Sequence, residues 1–256
     1  MEDTEALNET PPPSSGFGQT LIVAAKMPGV RIDRAVFLRR SLSRYCSKEQ
    51  IRIAVTETPA AAGIPGDVLA RLADAAITAE TSKVTALSAV AGLPGGLALA
   101  ATIPVDSAQY LAHMLRVSQK LAYLYSWPDL FDQDGDAPDD ATQNILTLFV
   151  GVMFGVQAAN KGIGLVAEKI AEQMIRQLPQ KALTHGVVYP IVKAVAKRLG
   201  VEMTKTIFAK GAAKAVPLVG GVLSGGLTLG TFLPMAKRLK GHLSTLATAG
   251  PRPQTL

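Results

Sequence analysis

The chain has 256 residues, of which 48% are hydrophobic and 5% aromatic, with a formal net charge of +6 and one cysteine, Cys46. This length predicts one substantial core with short tails. A single cysteine excludes an internal disulfide framework and a cysteine-based zinc cluster, and it fits a reducing compartment. The first residues are acidic and lack a basic segment before an apolar one, so no secretory signal is expected.

Charge is distributed unevenly along the chain. Residues 1–20 contribute −4 and residues 129–140 contribute −6, whereas the residues from 141 onward contribute +11. A basic half of this kind favours an anionic partner, such as lipid headgroups, nucleic acid or an acidic protein. The alternative is a well-solvated helical surface.

The N-terminal part predicts a tail and three helices. Residues 1–20 are acidic and contain several prolines, so we expect a disordered tail. Asp33 is a predicted N-cap, and the capping-box pattern from Ser47 begins a second helix that ends before Pro59. Apolar residues at helical spacing predict a third helix over about 65–83.

An uncharged stretch, 86–104, follows and contains Gly-Leu-Pro-Gly-Gly at 92–96. Because Pro94 lacks an amide hydrogen, we expect two short helices joined at the glycines or one strongly kinked helix. A capping-box pattern at Asp106 predicts the start of the next helix, which continues to about Tyr125. Its predicted apolar line, at steps of four and three, is Tyr110, Met114, Val117, Leu121 and Leu124.

The C-terminal half predicts further helices. An apolar segment continues from 145 toward 178, and two basic amphipathic helices are predicted over 187–199 and 203–214. A second uncharged stretch, 215–236, is interrupted by glycine and proline.

No segment has the alternation of a strand, so the sequence predicts an all-α fold. We expect a single multi-helix bundle over 21–246 with glycine-rich, kinked apolar helical hairpins and an acidic loop at 129–140. A disordered tail is expected over 247–256.

Three apolar segments approach the length that spans a bilayer, about 20 residues: 86–104, 141–160 and 215–236. They either insert, with glycines allowing close helix packing, or form the centre of a soluble bundle. Because each is diluted by glycine, threonine, serine or asparagine, we favour a bundle that lies against or dips into a membrane.

Two groups of residues resemble the EcsC protein family. The first group is Gly-Leu-Pro-Gly-Gly at 92–96, Thr-Ile-Pro-Val-Asp at 102–106 and the helix end at 120–125. The second group is the glycine-rich runs at 216–221 and 224–226, followed by Thr231, Phe232 and Ala236. Ser126 departs from the glycine that the family usually has after the tyrosine. The resemblance covers about 65–246 and implies a bacterial, helical, hydrophobic protein, named for an association with an ABC-transporter operon. It implies no catalytic residue, because the family has no established activity.

The catalytic candidates are Asp106, Tyr110 and His113, which fall at i, i+4 and i+7 and therefore share a helix face. A carboxylate that orients an imidazole is a general-base arrangement, and the pair is also the start of a two-ligand metal site. The alternative is a capping Asp106 beside a partly buried tyrosine and histidine. No nucleophile motif such as GxSxG lies nearby.

Other polar groups indicate no cofactor or metal site. Asp132, Asp134 and Asp136 suggest a calcium loop, but Gly135 lies one place too early and the distal glutamate is missing. A solvated acidic loop is therefore expected, with calcium binding or docking onto the protein's own basic surface as alternatives. His185 and His242 are expected at surface or cap positions.

The predicted membrane contacts are basic residues opposite an apolar helix face: Lys193, Lys197, Lys205, Lys210 and Lys214. Aromatic residues are too few among them for nucleic-acid binding, which is not expected. We interpret the chain as a non-enzymatic cytoplasmic protein, peripheral to the inner face of a bacterial membrane, that scaffolds or modulates a membrane partner. The alternatives are integral insertion, a membrane-associated hydrolase using Asp106 and His113, and a pore-forming protein.

Overall fold

The computed structural model describes residues 16–91, 103–131, 138–173, 177–214 and 220–250, with the backbone alone at 87–91, 103–107, 173, 203–214 and 220–228. Within these ranges the chain forms α-helices and no strand, which confirms the predicted all-α fold. The helices are α1 (Gly16–Lys26), α2 (Arg34–Leu42), α3 (Lys48–Thr56), α4 (Gly66–Ala91), α5 (Ile103–Leu124), α6 (Asp140–Met153), α7 (Gln157–Gln173), α8 (Gln180–Thr184), α9 (Tyr189–Lys214) and α10 (Gly220–Leu243).

Helix α5 lies at the centre of the bundle. It packs against α1, α2, α4, α6, α9 and α10. The apolar spacing predicted for this helix is confirmed, because Met114, Val117, Leu121 and Leu124 are fully buried. A helix that is apolar around most of its circumference is stable only when neighbours cover it on all sides, and this requirement places α5 inside the bundle.

Local capping patterns set several helix boundaries. Asp33 accepts a hydrogen bond from the Val36 amide and begins α2, and Ser47 forms the predicted capping box of α3. In contrast, α5 begins at Ile103, so Asp106 lies inside the first turns of the helix and is not its N-cap. The N-cap of α6 is Asp139, which the sequence analysis had assigned to the acidic loop.

The end of α5 explains the serine at position 126. The amides of Ser126 and Trp127 donate to the carbonyls of Tyr123 and Ala122, which is a Schellman motif. Ser126 has φ +68, the left-handed conformation that normally favours glycine. Its hydroxyl accepts a 3.0 Å hydrogen bond from the buried Ala60 amide. This bond gives the serine a role that glycine lacks.

Glycines allow close helix packing at Gly151, within the predicted apolar segment 141–160, and at Gly162 just beyond it. A Cβ added at Gly151 in α6 would lie 2.5 Å from Val195 Cγ1 in α9. A Cβ at Gly162 in α7 would lie 3.0 Å from Leu148. Gly155, with φ +77, ends the apolar segment that was expected to continue toward 178 and separates α6 from α7.

Several predicted boundaries are wrong. The predicted tail 1–20 includes the start of α1, which buries Phe17 in the core. Residues 247–250 of the predicted tail are ordered in turns, and Thr248 is buried. The two basic helices predicted over 187–199 and 203–214 form one helix, α9, that continues through Gly200.

The two glycine-rich stretches differ in how far they are described. Residues 92–96 and 215–219 lie outside the described residues, whereas the glycines from 220 to 226 lie within α10. Helix α10 continues through Pro234 and packs along α4. Among the described residues, no helix combines the length and the apolar character needed to cross a membrane.

Candidate functional site

The strongest concentration of charge inside the bundle surrounds Glu80 of α4. The side chain of Glu80 is 0% exposed. It follows Ile77 by three residues and precedes Val84 by four, and both of these apolar residues are buried. Helical spacing therefore places the carboxylate at a core-facing position of α4.

Four basic side chains surround this carboxylate. Lys120 Nζ donates to Oε1 at 2.5 Å, and Arg116 donates from Nε and Nη2 at 3.2 and 3.3 Å. His113 Nδ1 lies 3.0 Å from Oε2, and Lys83 Nζ lies 3.3 Å from Oε1. His113, Arg116 and Lys120 lie at i, i+3 and i+7 of α5 and therefore share one face of that helix. We call these five residues the Glu80 cluster.

The cluster keeps the carboxylate ionised. Burial alone would raise the pKa of Glu80, but hydrogen bonds from His113, Lys120 and Arg116, with the charge of Lys120, outweigh burial and hold the pKa well below its usual range. Burial, together with the charges of Arg116 and Lys83, lowers the pKa of the Lys120 ammonium, although the hydrogen bond and charge of Glu80 act in the opposite direction. Lys120 therefore bears a desolvation cost at neutral pH that the carboxylate offsets.

His113 is positioned by Glu80. An ionised carboxylate only accepts hydrogen bonds, so Nδ1 carries the proton and, in the neutral ring, Nε2 is the acceptor. Within the described part of the chain, no hydroxyl or thiol donates a hydrogen bond to Nε2, and the contact recorded for the ring is the one with Glu80. The arrangement acts as an ionic connection between α4 and α5.

One of the other catalytic candidates, Tyr110, lies apart from this cluster. Tyr110 is buried, and its hydroxyl lies 3.2 Å from Thr231 Oγ1 of α10, while its ring packs edge-on against Phe232. Burial raises the pKa of Tyr110 despite the hydrogen bond with Thr231. Asp106 lies in α5, at a position where only the backbone is described.

The remaining histidines have structural positions. His185 is the exposed C-cap of α8, as predicted for a cap residue. Nε2 of His242 lies 3.2 Å from the Asn160 carbonyl oxygen, and burial lowers the pKa of His242 despite this contact.

Acidic residues of the loop also have structural roles where they are described. Asp129 accepts hydrogen bonds from the Tyr123 hydroxyl and the Phe131 amide. Asp132, Asp134 and Asp136 lie outside the described residues. Among those that the structure describes, no group of three or more His, Cys, Asp or Glu side chains is arranged to hold a metal ion.

The predicted membrane-contact residues lie on α9. Lys193 and Lys197 are exposed, whereas Val195 and Leu199 between and beyond them are fully buried. Exposed valines, Val187 and Val201, lie before and after the two lysines. Lys205, Lys210 and Lys214 lie further along α9, where the backbone alone is described.

Arg34 is a further buried cation, and no pattern in the sequence singles it out. Its guanidinium donates to the carbonyls of Val55, Ala54 and Glu57 at the end of α3 and to the carbonyl of Trp127. Burial lowers the pKa of Arg34, opposed by Tyr123 and Asp129. The cation satisfies carbonyl groups that a helix leaves unpaired at its C-terminus.

Comparison with protein-family models, with curated proteins and with solved structures gives no match. The resemblance to the EcsC family therefore stays a prediction from the residues quoted above.

Proposed function

We propose that the chain is a non-enzymatic helical protein that binds the anionic surface of a membrane from the cytoplasmic side. The observation that carries this proposal is the division of α9 into two faces. Lys193 and Lys197 are exposed on the helix whose Val195 and Leu199 are buried in the core. The basic face is thus held outward by the packing of the opposite face.

We call Lys193, Lys197, Val187 and Val201 the α9 surface. This surface combines the two features that an interfacial helix needs, exposed positive charge and exposed apolar side chains. Lysines near an anionic leaflet each contribute about 1 kcal/mol of binding free energy. Val187 and Val201 add exposed apolar side chains that gain from entering the boundary between headgroups and acyl chains. A soluble polyanion would bind the lysines through charge alone and would leave these valines exposed to water.

The resemblance to the EcsC family adds a partner to this proposal. We propose that the membrane-bound chain scaffolds or modulates a membrane protein such as an ABC transporter. This part rests on the resemblance alone, and its direct test is recovery of a defined transporter with the chain from detergent extracts of membranes.

A vesicle assay tests the membrane contact. The chain should sediment with vesicles that contain phosphatidylserine, and binding should weaken as salt rises because salt screens exposed charges. Replacing Lys193 and Lys197 with glutamine should weaken partitioning about 30-fold at low salt, since two charges contribute about 2 kcal/mol.

A charge-matched control separates the α9 surface from total charge. Lys161 and Lys237 are exposed on α7 and α10, so their replacement with glutamine removes the same charge elsewhere. This control should bind within about threefold of the unchanged protein. Equal binding to neutral vesicles at high salt would refute the electrostatic part of the proposal.

The hydrolase alternative lacks a comparable observation. It requires His113 to accept a proton from a nucleophile, and the ring is enclosed in the Glu80 cluster. Arg116 and Lys120 bind the same carboxylate, so Glu80 is shared among several basic side chains and is not dedicated to orienting His113. We therefore propose an ionic structural role for His113.

A further inference from the structure

Helix α2 and the turn after it carry an exposed surface of three arginines and two large apolar side chains. Val36, Arg39 and Arg40 lie at i, i+3 and i+4 and share one face of the helix, and Arg44 and Tyr45 follow in the turn after it. All five residues are exposed. We call them the α2 surface.

The apolar members of this surface are unusually accessible. Val36 is 58% exposed and Tyr45 is 50% exposed, and both are among the few large hydrophobic residues left open to solvent in the described part of the chain. The helix beneath them is firmly packed, since Leu38 and Leu42 are fully buried. Val36, Arg39 and Arg40 are therefore presented by a helix that is anchored in the core.

The arginines of this surface have no acidic partner among the described residues. Other exposed arginines do pair: Arg52 with Glu49, and Arg71 with Asp67. Between residues 31 and 48 the chain has six basic residues and one acid, Asp33. The carboxylate of Asp33 accepts from the Val36 amide at the opposite end of α2. Within the described ranges, the charge of the α2 surface is thus uncompensated, in contrast to α9, where Arg198 pairs with Glu202.

We infer that the α2 surface is a second site of contact with an anionic phospholipid bilayer, an inference that rests on the proposed membrane function. A guanidinium binds a phosphate with two parallel hydrogen bonds, and three unpaired arginines suit the dense phosphates of a headgroup layer. Tyrosine is enriched at the level of the headgroups, and an exposed valine gains by entering the acyl boundary.

The apolar residues decide between lipid and nucleic acid. A nucleic-acid backbone would meet the arginines equally well, but it offers Val36 no apolar environment. The helix has nine residues, or about 14 Å at 1.5 Å per residue. A flat headgroup layer can meet Val36, Arg39 and Arg40 at once, because they share one face of so short an element, and Arg44 and Tyr45 follow in the adjoining turn.

The test uses the full chain and vesicles of phosphatidylcholine with or without phosphatidylserine. Replacing Arg39, Arg40 and Arg44 with glutamine should weaken partitioning to the anionic vesicles by about 100-fold at low salt. A charge-matched control replaces three exposed cations elsewhere, Arg71, Lys161 and Lys237. Its binding should stay within about threefold of the unchanged protein, and far-UV circular dichroism checks that all variants fold.

Val36→Ser provides a readout that total charge does not affect. It should weaken partitioning by about threefold to tenfold and leave the salt dependence unchanged, because it removes apolar contact only. A short DNA duplex serves as the competing anion. The assignment to lipid would be overturned if the chain bound the duplex, the three arginine substitutions abolished this binding, and Val36→Ser left it intact.

The outcomes separate this inference from the proposed function. One outcome would overturn the inference and support the α9 surface. In that outcome the arginine variant still binds anionic vesicles, whereas the variant that lacks Lys193 and Lys197 does not. Loss in the arginine variant with normal binding of the charge-matched control supports the inference. Failure of the unchanged chain to bind anionic vesicles overturns both proposals.

Discussion

Replacing Glu80 with glutamine tests the energetic role of the buried cluster. Gln keeps the size of the side chain and removes its charge. Lys120 and Arg116, whose side chains are 12% and 21% exposed, then lose the carboxylate that offsets their burial. Removal of one partner from a buried ion pair costs about 3–5 kcal/mol. Because both cations keep some access to water, we expect a loss of about 3 kcal/mol in the free energy of unfolding.

A second substitution shows whether the cost arises from the stranded cations. Lys120→Met alone should cost about 1 kcal/mol, since Arg116 and His113 still pair with the carboxylate. In the Glu80→Gln background the same change removes an unpaired buried ammonium and should restore stability. The double variant should therefore be more stable than the sum of the single effects predicts, by at least about 1 kcal/mol.

The pH dependence has a definite sign. The folded-state pKa of Glu80 lies well below 4.5, the ordinary value for a glutamate side chain, which we take for the unfolded chain. The carboxylate therefore contributes stability above about pH 4.5, and this contribution is lost as pH falls further toward the folded pKa. At pH 3.5, one unit below the unfolded value, the loss is about 1.4 kcal/mol.

Urea unfolding, followed by circular dichroism at pH 5.5 and pH 3.5, measures both effects. The stability difference between the unchanged chain and Glu80→Gln should shrink by about 1.4 kcal/mol between these values. A difference below about 1 kcal/mol at pH 5.5, or one that stays constant with pH, would refute the role assigned to the cluster.

Three further substitutions probe packing and helix ends, each measured by urea unfolding. Ser126→Ala should cost about 1–2 kcal/mol because the buried Ala60 amide loses its acceptor. Ser126→Gly loses the same acceptor but relieves about 1 kcal/mol of left-handed strain, so it should cost about 1 kcal/mol less than Ser126→Ala. Equal stability of the two variants would contradict this account. Arg34→Met should cost about 3 kcal/mol by leaving several buried carbonyls unpaired. Gly151→Ala should cost about 1–3 kcal/mol through the clash with Val195. Adding Val195→Ala to the same chain should recover part of that loss. If Gly151→Ala alone left the free energy of unfolding unchanged, α6 and α9 would be able to move apart freely.

Local patterns predicted those features that local hydrogen bonds determine. The caps at Asp33 and Ser47 depend on side chains within three residues of the amides that they accept. The apolar spacing of α5 likewise identified a helix with a buried face. Such patterns failed at Gly200, where packing of α9 against its neighbours keeps a glycine inside a continuous helix.

The Glu80 cluster could not be predicted in full, because its members come from two helices. Glu80 occupies a core-facing position in the apolar spacing of α4, and this misplaced charge was a readable signal. Its partners His113 and Lys120 lie 33 and 40 residues away in sequence. Without knowledge of how α4 and α5 pair, the sequence offers several cations and no reason to choose among them. For the same reason His113 was assigned the nearer carboxylate, Asp106.

The cluster also bears on how this chain could meet a membrane. Insertion of 86–104 as a separated hairpin would draw α4 and α5 apart and strand Glu80 from Arg116 and Lys120. An unpaired charge costs more free energy near hydrocarbon than in water. The ion pairs of the Glu80 cluster therefore oppose insertion of 86–104 more strongly at a bilayer than they oppose the same separation in solution. Binding through the α9 and α2 surfaces leaves the α4–α5 pair intact. The buried charge therefore favours a bundle that binds the membrane surface while its core stays closed.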